Sequence, residues 1–142
     1  MERAQQERLV AAARDVRARA HAPYSGFLVG AAVLTDDGRV HVGCNVEISS
    51  FSHTCCAERV AVFSAVAQGA RRLVACAVVT DVSPPVTPCG ACRQVLHNFG
   101  PDMILVLADL DDGRRVVPLR ALLPDAFGPG QVLDHIRARH GE

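Results

Sequence analysis

The chain has 142 residues, of which 49% are hydrophobic and 21% charged, and its formal net charge is zero. This length is typical of one domain, so residues 1–142 are interpreted as a single unit. No basic run favours binding to a nucleic-acid backbone, and no apolar run reaches the ~20 residues needed to span a membrane. The charged segment Met1–Arg8 lacks the apolar core of a signal peptide, so a cytoplasmic location is expected. Six cysteines in that reducing compartment favour metal binding or catalysis over disulfides.

The first third of the chain is predicted to form a helix and a hairpin. Apolar residues recur at helical spacing from about Glu2 to Ala20, which indicates an amphipathic helix. The apolar segment Phe27–Thr35 predicts a buried strand, and the Asp-Asp-Gly sequence at 36–38 predicts a hairpin turn. In the return strand at 40–44, Val40, Val42 and Cys44 alternate with other residues, so one face of the strand is expected to be more exposed than the other.

Helices and strands alternate through the remaining two thirds. The run Leu73–Val79 is almost continuously apolar, as expected of a central parallel strand that is covered on both faces. The pattern therefore predicts one α/β domain with helices on both faces of a mixed sheet. The other predicted elements are a helix from Thr54 or Cys55 to just before Gly69, a helix from Cys89 to near Gly100, strands Met103–Ala108 and Arg115–Val117, a helical turn Leu119–Leu123, and a last helix carrying Val132, Leu133 and Ile136.

A C-x-x-C motif, Cys89 to Cys92, has several interpretations by itself: a redox pair, half of a zinc site, or two incidental thiols. Its late position after Pro88 differs from thioredoxin-like motifs, and a structural zinc ribbon would need a second C-x-x-C. Cys56 is the best third ligand because, like Cys89, it begins a predicted helix, where free N–H groups favour a thiolate. Three thiolates leave the fourth position of a zinc ion to water, which is the arrangement of a catalytic site.

Glu58 and Arg59 lie in the first turn of the helix that begins near Cys56. From there the Glu58 carboxylate can reach a metal-bound water without ligating the metal. Ligand-x-Glu followed by Pro-Cys-x-x-Cys is the signature of zinc deaminases. Arg59 could offset the charge of the thiolates by hydrogen bonding to Cys56 or to the first cysteine of the C-x-x-C motif. Without the cysteines, a glutamate at this position would most simply complement the helix dipole. For the metal ligand assigned to Cys56, Cys55 and His53 are the alternatives.

Five segments in a fixed order carry a resemblance to a known family: Ala22–Ala32, Gly43–Glu47, Cys56–Arg59, Pro88–Val95 and Leu122–Phe127. Together they resemble the small, homotetrameric cytidine deaminases of nucleoside salvage, and the resemblance covers nearly the whole chain. It implies a three-layer α/β/α fold around a five-stranded sheet, and a homotetramer whose sites are shared between subunits.

The resemblance also implies the metal centre and the catalytic residue. Cys56, Cys89 and Cys92 match the three ligands of one zinc ion per subunit, and Glu58 matches the proton shuttle. Ala57 matches the position whose backbone N–H meets the pyrimidine carbonyl.

Four further residues match the family's substrate contacts. Asn45 and Glu47 match the pair that holds the ribose hydroxyls, and an amide and a carboxylate two residues apart at a strand end suit a sugar diol. Phe27 matches the aromatic residue that lines the base pocket, and Phe127 matches one that is contributed to a neighbouring subunit's site. Apart from the resemblance, both phenylalanines would be interpreted as core residues.

Three positions depart from the family pattern. Ile48 follows the ribose-binding glutamate where Asn is usual, Phe51 stands where Tyr is common, and Cys55 next to the first ligand is unusual. The expected reaction is hydrolytic deamination of cytidine and 2′-deoxycytidine. Ile48 motivates an alternative, the same chemistry on a cytosine-containing antibiotic, as in the closely similar blasticidin S deaminases. A zinc site closed by His53 or Cys55 would instead indicate a non-enzymatic binding module.

Overall fold

A computed structural model describes residues 1–141 of the chain, and its centre is a single five-stranded sheet. The strands are β1 Gly30–Thr35, β2 Val40–Cys44, β3 Leu73–Val79, β4 Ile104–Ala108 and β5 Arg114–Pro118. Their order in the sheet is β2-β1-β3-β4-β5. Only the β3–β4 pair is parallel among these strands, so the predicted mixed sheet with a strand-helix-strand unit is confirmed.

Helices cover both faces of the sheet, which confirms the predicted three-layer α/β/α sandwich. They are α1 Arg3–Arg17, α2 Ala57–Ala67, α3 Gly90–Phe99, α4 Leu119–Leu122 and α5 Pro129–His140. Leu9 and Ala13 of α1 pack on one face of the sheet, while Val62 of α2 and Leu96 of α3 pack on the other. Within residues 1–141, no helix has the combination of length and apolarity that crossing a membrane requires.

One face of β2 is more exposed than the other, as the alternation predicts, and the more exposed face is the one that carries Val42. His41 is 7% exposed, whereas Val42 on the other face is 37% exposed. The reason is that α2 lies directly on the His41 face. A Cβ atom on Gly43 would be 2.3 Å from the backbone nitrogen of Ala61 and 2.6 Å from the carbonyl oxygen of Ala57. Glycine therefore permits the close contact that fixes the first turn of α2 against the strand.

The strand predicted at Phe27–Thr35 begins only at Gly30. The peptide groups of Phe27 and Val29 before it bind Asn45, which directly follows β2, mainly through its side chain and also through its backbone N–H, 3.3 Å from the Val29 carbonyl oxygen. Asn45 donates from Nδ2 to the Phe27 carbonyl at 2.7 Å and accepts from the Val29 N–H at 2.9 Å. This side chain takes the place of a strand partner, and it holds the segment carrying Phe27 beside the end of β2.

Candidate active site

Three sulfur atoms meet where α2 and α3 begin. Cys56 is the N-cap residue of α2, Cys89 is that of α3, and Cys92 lies in the first turn of α3. Their Sγ atoms all lie within 4.8 Å of one another. In a tetrahedral zinc site with Zn–S bonds of about 2.3 Å, sulfur atoms lie about 3.8 Å apart, so the donor set fits zinc. Among the described residues, this cluster includes neither of the rival ligands, Cys55 and His53.

The charge distribution around the sulfur atoms favours a thiolate. The pKa of Cys56 is lowered to about 5, chiefly because the Cys92 thiol donates a hydrogen bond to it and also because Arg59 lies beside it. Arg59 Nη2 is 3.4 Å from Cys56 Sγ. The pKa of Cys92 is raised because its proton is held in the bond to Cys56 and because it is buried. The cluster thus presents an anionic sulfur to a cation near neutral pH.

Glu58 lies in the first turn of α2 and is 5% exposed. Its Oε2 atom is 3.8 Å from Cys92 Sγ. Burial raises the pKa of this carboxyl group, with the Cys56 thiolate acting in the same direction. A buried carboxyl group with a raised pKa gives up and takes back a proton more readily than an exposed one, which is the property required of a general acid–base.

A cavity of about 390 Å³ lies next to these groups. Four of the predicted substrate residues line it, namely Phe27, Asn45, Glu47 and Ala57. The cavity also has wall residues that the sequence did not single out: Ser25, Val29, Thr54, Val78, Thr80, Val86 and Thr87. Its size and its mixture of apolar and polar walls suit a small polar molecule.

Asn45 and Glu47 are each 8% exposed and also organise the loop at the cavity entrance. Glu47 Oε1 accepts hydrogen bonds from the backbone N–H groups of Tyr24 and Ser25, both at 3.0 Å, and the Ser25 hydroxyl donates to Oε2. These bonds, the Ser25 hydroxyl first, lower the pKa of Glu47 and keep it a carboxylate. The role of Ser25 was missed because its partner lies 22 residues away in the sequence.

Phe127 does not line this cavity. It is 64% exposed and borders an apolar groove of about 620 Å³ between α3 and α5, where its carbonyl accepts a hydrogen bond from Gln94 Nε2 at 2.6 Å. Phe27 is 39% exposed. The interpretation of both phenylalanines as core residues is therefore wrong, because apolar character alone does not say whether a residue faces the core, a site or a partner.

Three clustered thiols suited to a metal ion, with a buried carboxyl group beside them in a three-layer α/β/α sandwich, are the arrangement of a zinc-dependent hydrolase. Residues 3–108 match the family model described as the cytidine and deoxycytidylate deaminase zinc-binding region. The chain belongs to this family, as its sequence resemblance implied.

Similar proteins agree in sequence and in fold. The chain is 47% identical over 122 residues to a cytidine deaminase of Sporosarcina psychrophila, which covers 85% of this chain and 90% of the relative. A cytidine deaminase of Mycobacterium tuberculosis H37Rv is 47% identical over 116 residues, covering 82% of this chain and 84% of the relative. The crystal structure of the Burkholderia pseudomallei cytidine deaminase superposes with a TM-score of 0.83 at 47% identity, over 89% of this chain and 100% of the other.

Proposed function

We propose that the chain catalyses hydrolytic deamination of cytidine and 2′-deoxycytidine to the corresponding uridines, with release of ammonia. One observation carries the proposal: three sulfur atoms within 4.8 Å of one another share a site with the buried Glu58 carboxyl group. The adjoining cavity has Asn45 and Glu47 in its wall, which adds sugar-binding groups to the deaminase chemistry. Membership of the family and the names of the relatives support the same reaction.

In this proposal Cys56, Cys89 and Cys92 hold the zinc ion. Zinc supplies Lewis acidity when bound, which lowers the pKa of water to near 7. Three thiolates would give the centre a net negative charge. Arg59, whose pKa is raised by its hydrogen bond to Cys56, stays a cation beside it and offsets part of that charge.

Glu58 moves the protons. Its carboxylate takes a proton from the water that adds to C4 of the cytosine ring and delivers it to N3. It then takes the proton of the new C4 hydroxyl group and transfers it to the amino group, so that the C4–N bond breaks, ammonia leaves and C4 becomes the carbonyl carbon of uridine. The raised pKa of Glu58 supports this sequence, because burial makes the protonated form that donates to the substrate easier to reach than it is for an exposed carboxyl group.

The substrate is oriented by four residues in the cavity wall. Phe27 packs against the base, and the Ala57 backbone N–H donates to the pyrimidine carbonyl. Asn45 and Glu47 bind the ribose hydroxyls with the hydrogen-bonding capacity that their loop contacts leave free. Ile48 is 43% exposed and does not line the cavity, which favours an ordinary nucleoside over the antibiotic alternative.

The proposal extends to assembly and location. A homotetramer with shared sites would cover the apolar groove around Phe127 and would bring that ring to a neighbouring subunit's cavity. The exposure of Phe63, Leu133 and Ile136 around the same surface supports this arrangement. A cytoplasmic location is consistent with the three thiols of the site, because a reducing compartment keeps cysteines available as metal ligands.

The test is the loss of cytidine's ultraviolet absorbance on mixing with zinc-loaded protein, with uridine identified by chromatography. We expect steady conversion of both cytidine and 2′-deoxycytidine. A folded, zinc-loaded protein that converts neither nucleoside would contradict the proposal. Blasticidin S as a parallel substrate separates the two enzyme interpretations, because turnover of the antibiotic alone would favour the alternative.

A further inference from the structure

Arg93, in the first turns of α3, links this helix to the loop before it and to the end of α4. Its Nε atom donates to the Pro88 carbonyl at 2.7 Å, and Nη2 donates to Thr87 Oγ1 at 2.9 Å. The remaining nitrogen, Nη1, donates to the Leu122 carbonyl at 2.8 Å. One planar guanidinium group thus binds the loop before α3 and the end of α4 at the same time.

The loop that Arg93 holds carries the first ligand of the C-x-x-C motif. Residues 81–88 have no helix or strand, and Pro88 has no backbone N–H with which to anchor itself. In the described chain, the N-cap residue Cys89 makes no side-chain hydrogen bond to its own helix, although N-cap side chains commonly do so. The Cys89 sulfur instead lies in the thiol cluster, so this stretch of backbone must be positioned by other bonds.

We propose that Arg93 is a positioning residue for the metal centre. By fixing the carbonyl of Pro88, it keeps the Cys89 sulfur close to those of Cys56 and Cys92. By binding Thr87, it also fixes part of the cavity wall. This inference rests on the proposed function only for the identity of the metal and substrate.

Arg93 and Arg59 act differently in this scheme. Arg59 contacts a ligand sulfur directly and changes the charge at the centre. Arg93 acts through backbone and hydroxyl oxygens, so its effect depends on the planar geometry of the three nitrogen donors in its guanidinium group. Lysine keeps the charge but offers one nitrogen in place of the planar fork, so Arg93→Lys should rescue the function only in part.

The experiment compares zinc-loaded wild-type protein with Arg93→Gln and Arg93→Lys. Arg120→Gln is the matched control, because Arg120 forms an exposed ion pair with Asp102 away from the thiol cluster. The rate of zinc release to a chromophoric chelator is measured first, followed by the sulfur-to-cobalt charge-transfer spectrum of the cobalt-substituted protein. Thermal stability, kcat and KM for cytidine complete the set.

Arg93→Gln should bind zinc about 10–100-fold more weakly than wild type, which is the usual effect of removing a residue that orients a metal ligand, and it should release zinc correspondingly faster. Its cobalt spectrum should change, and kcat should fall more than KM rises. For zinc release, the cobalt spectrum and kcat, Arg93→Lys should give values between those of wild type and Arg93→Gln. Arg120→Gln should match wild type in all of them. Thr87→Val, which removes one acceptor only, should shift the cobalt spectrum in the same direction by a smaller amount, and it provides the test if Arg93→Gln does not fold.

The inference is overturned if Arg93→Gln and Arg93→Lys keep the wild-type zinc release rate and cobalt spectrum. A lower melting temperature with an unchanged zinc release rate and cobalt spectrum would overturn it too. Arg93 would then stabilise the fold in general without positioning the metal centre. Failure of the wild-type protein to deaminate cytidine would contradict the proposed function instead, and it would leave the zinc and cobalt comparisons readable.

Discussion

Glu58 is the residue on which the proposed chemistry depends most directly. It is buried beside the thiol cluster but is not one of the three sulfur donors. Replacing it with glutamine removes the proton-carrying group while keeping the size of the side chain. We expect kcat for cytidine to fall by about 10²–10⁴-fold, the usual contribution of a general acid–base, with zinc still bound at one ion per chain.

The measurement pairs a turnover assay with the zinc content of the same preparation. Glu7→Gln serves as the control, because Glu7 is an exposed carboxylate on α1 that pairs with Arg114 of β5. Substantial turnover by a zinc-loaded Glu58→Gln variant would remove Glu58 from the mechanism.

Residues whose role depends on local spacing were predictable from the sequence. Cys56 and Glu58 lie at the start of α2, and the C-x-x-C motif lies at the start of α3. Within each first turn, residues a few positions apart in the sequence are also close in space. The bonds of Ser25 to Glu47 and of Arg93 to α4 were not predictable, because the bonded residues lie far apart in the sequence. Arg93, for example, meets a carbonyl that is 29 residues away.

The elements position the site through a few close contacts, and Gly43 provides one of them. An alanine Cβ at this position would lie 2.3 Å from a backbone nitrogen of α2, so the helix or the strand must move. We expect Gly43→Ala to lower the free energy of unfolding by about 1–3 kcal/mol, as overpacking commonly does. Zinc should also bind more weakly, because the shifted helix carries Cys56.

Urea denaturation and competition with a zinc chelator measure both effects. Gly130→Ala is the matched control, since a Cβ atom there would meet nothing within 4 Å. If Gly43→Ala and Gly130→Ala were equally stable and bound zinc equally well, the close contact between β2 and α2 would not be what positions the site.

The turn between β1 and β2 predicts a pH dependence of stability. The Asp37 carboxylate accepts hydrogen bonds from the Thr35 hydroxyl and from Arg39 Nε, and these lower its pKa to about 2 from an ordinary 3.8. A lowered folded-state pKa stabilises the fold above the unfolded-state pKa. That stability is lost as the pH falls from about 3.8 to about 2.

Asp37→Asn should therefore lower the urea midpoint equally at pH 7 and pH 5, and the difference from wild type should shrink below pH 3.8. The comparison uses zinc-free, reduced protein at every pH, so that protonation of the metal ligands does not contribute. Asp36→Asn, at an exposed neighbouring position, is the control. A difference from wild type that stayed constant down to pH 3 would contradict the lowered pKa.

The sequence predicted the order and type of the elements, but it could not predict which face of β2 is covered. Apolar runs such as Leu73–Val79 identify a buried strand because both of its faces pack against helices. In β2 the alternation indicated one covered face, but it did not say which face that is. The glycine at 43 admits α2 on the His41 face, and His41 becomes buried with it. Because Gly43 has no side chain, there is space for α2 against this face of β2. This tertiary contact, and not the sequence alternation, decides which face is buried.

At the scale of the whole molecule, the helix α5 packs none of its described side chains into the hydrophobic core. Among the described residues of α5, none is buried, and Val132, Leu133 and Ile136 are 38%, 45% and 46% exposed. Most helices in proteins depend on packing of an apolar face for their stability. Phe63 of α2, at 51% exposed, extends the same apolar surface. Contact with other subunits would cover this surface, and it would also carry Phe127 toward a neighbouring cavity.

Leu133→Asp tests that arrangement, because it places a charge in the middle of the apolar surface. The wild-type protein should have the mass of four chains by light scattering, and the variant should dissociate to smaller species. Deamination of cytidine should fall with the mass, since each site would lose the neighbour's Phe127. Ala138→Asp adds the same charge on the opposite side of the exposed helix α5, and it should leave mass and activity unchanged. A wild-type protein that is monomeric and fully active would mean that one chain completes its own site, and Phe127 would then have no part in catalysis by a neighbour.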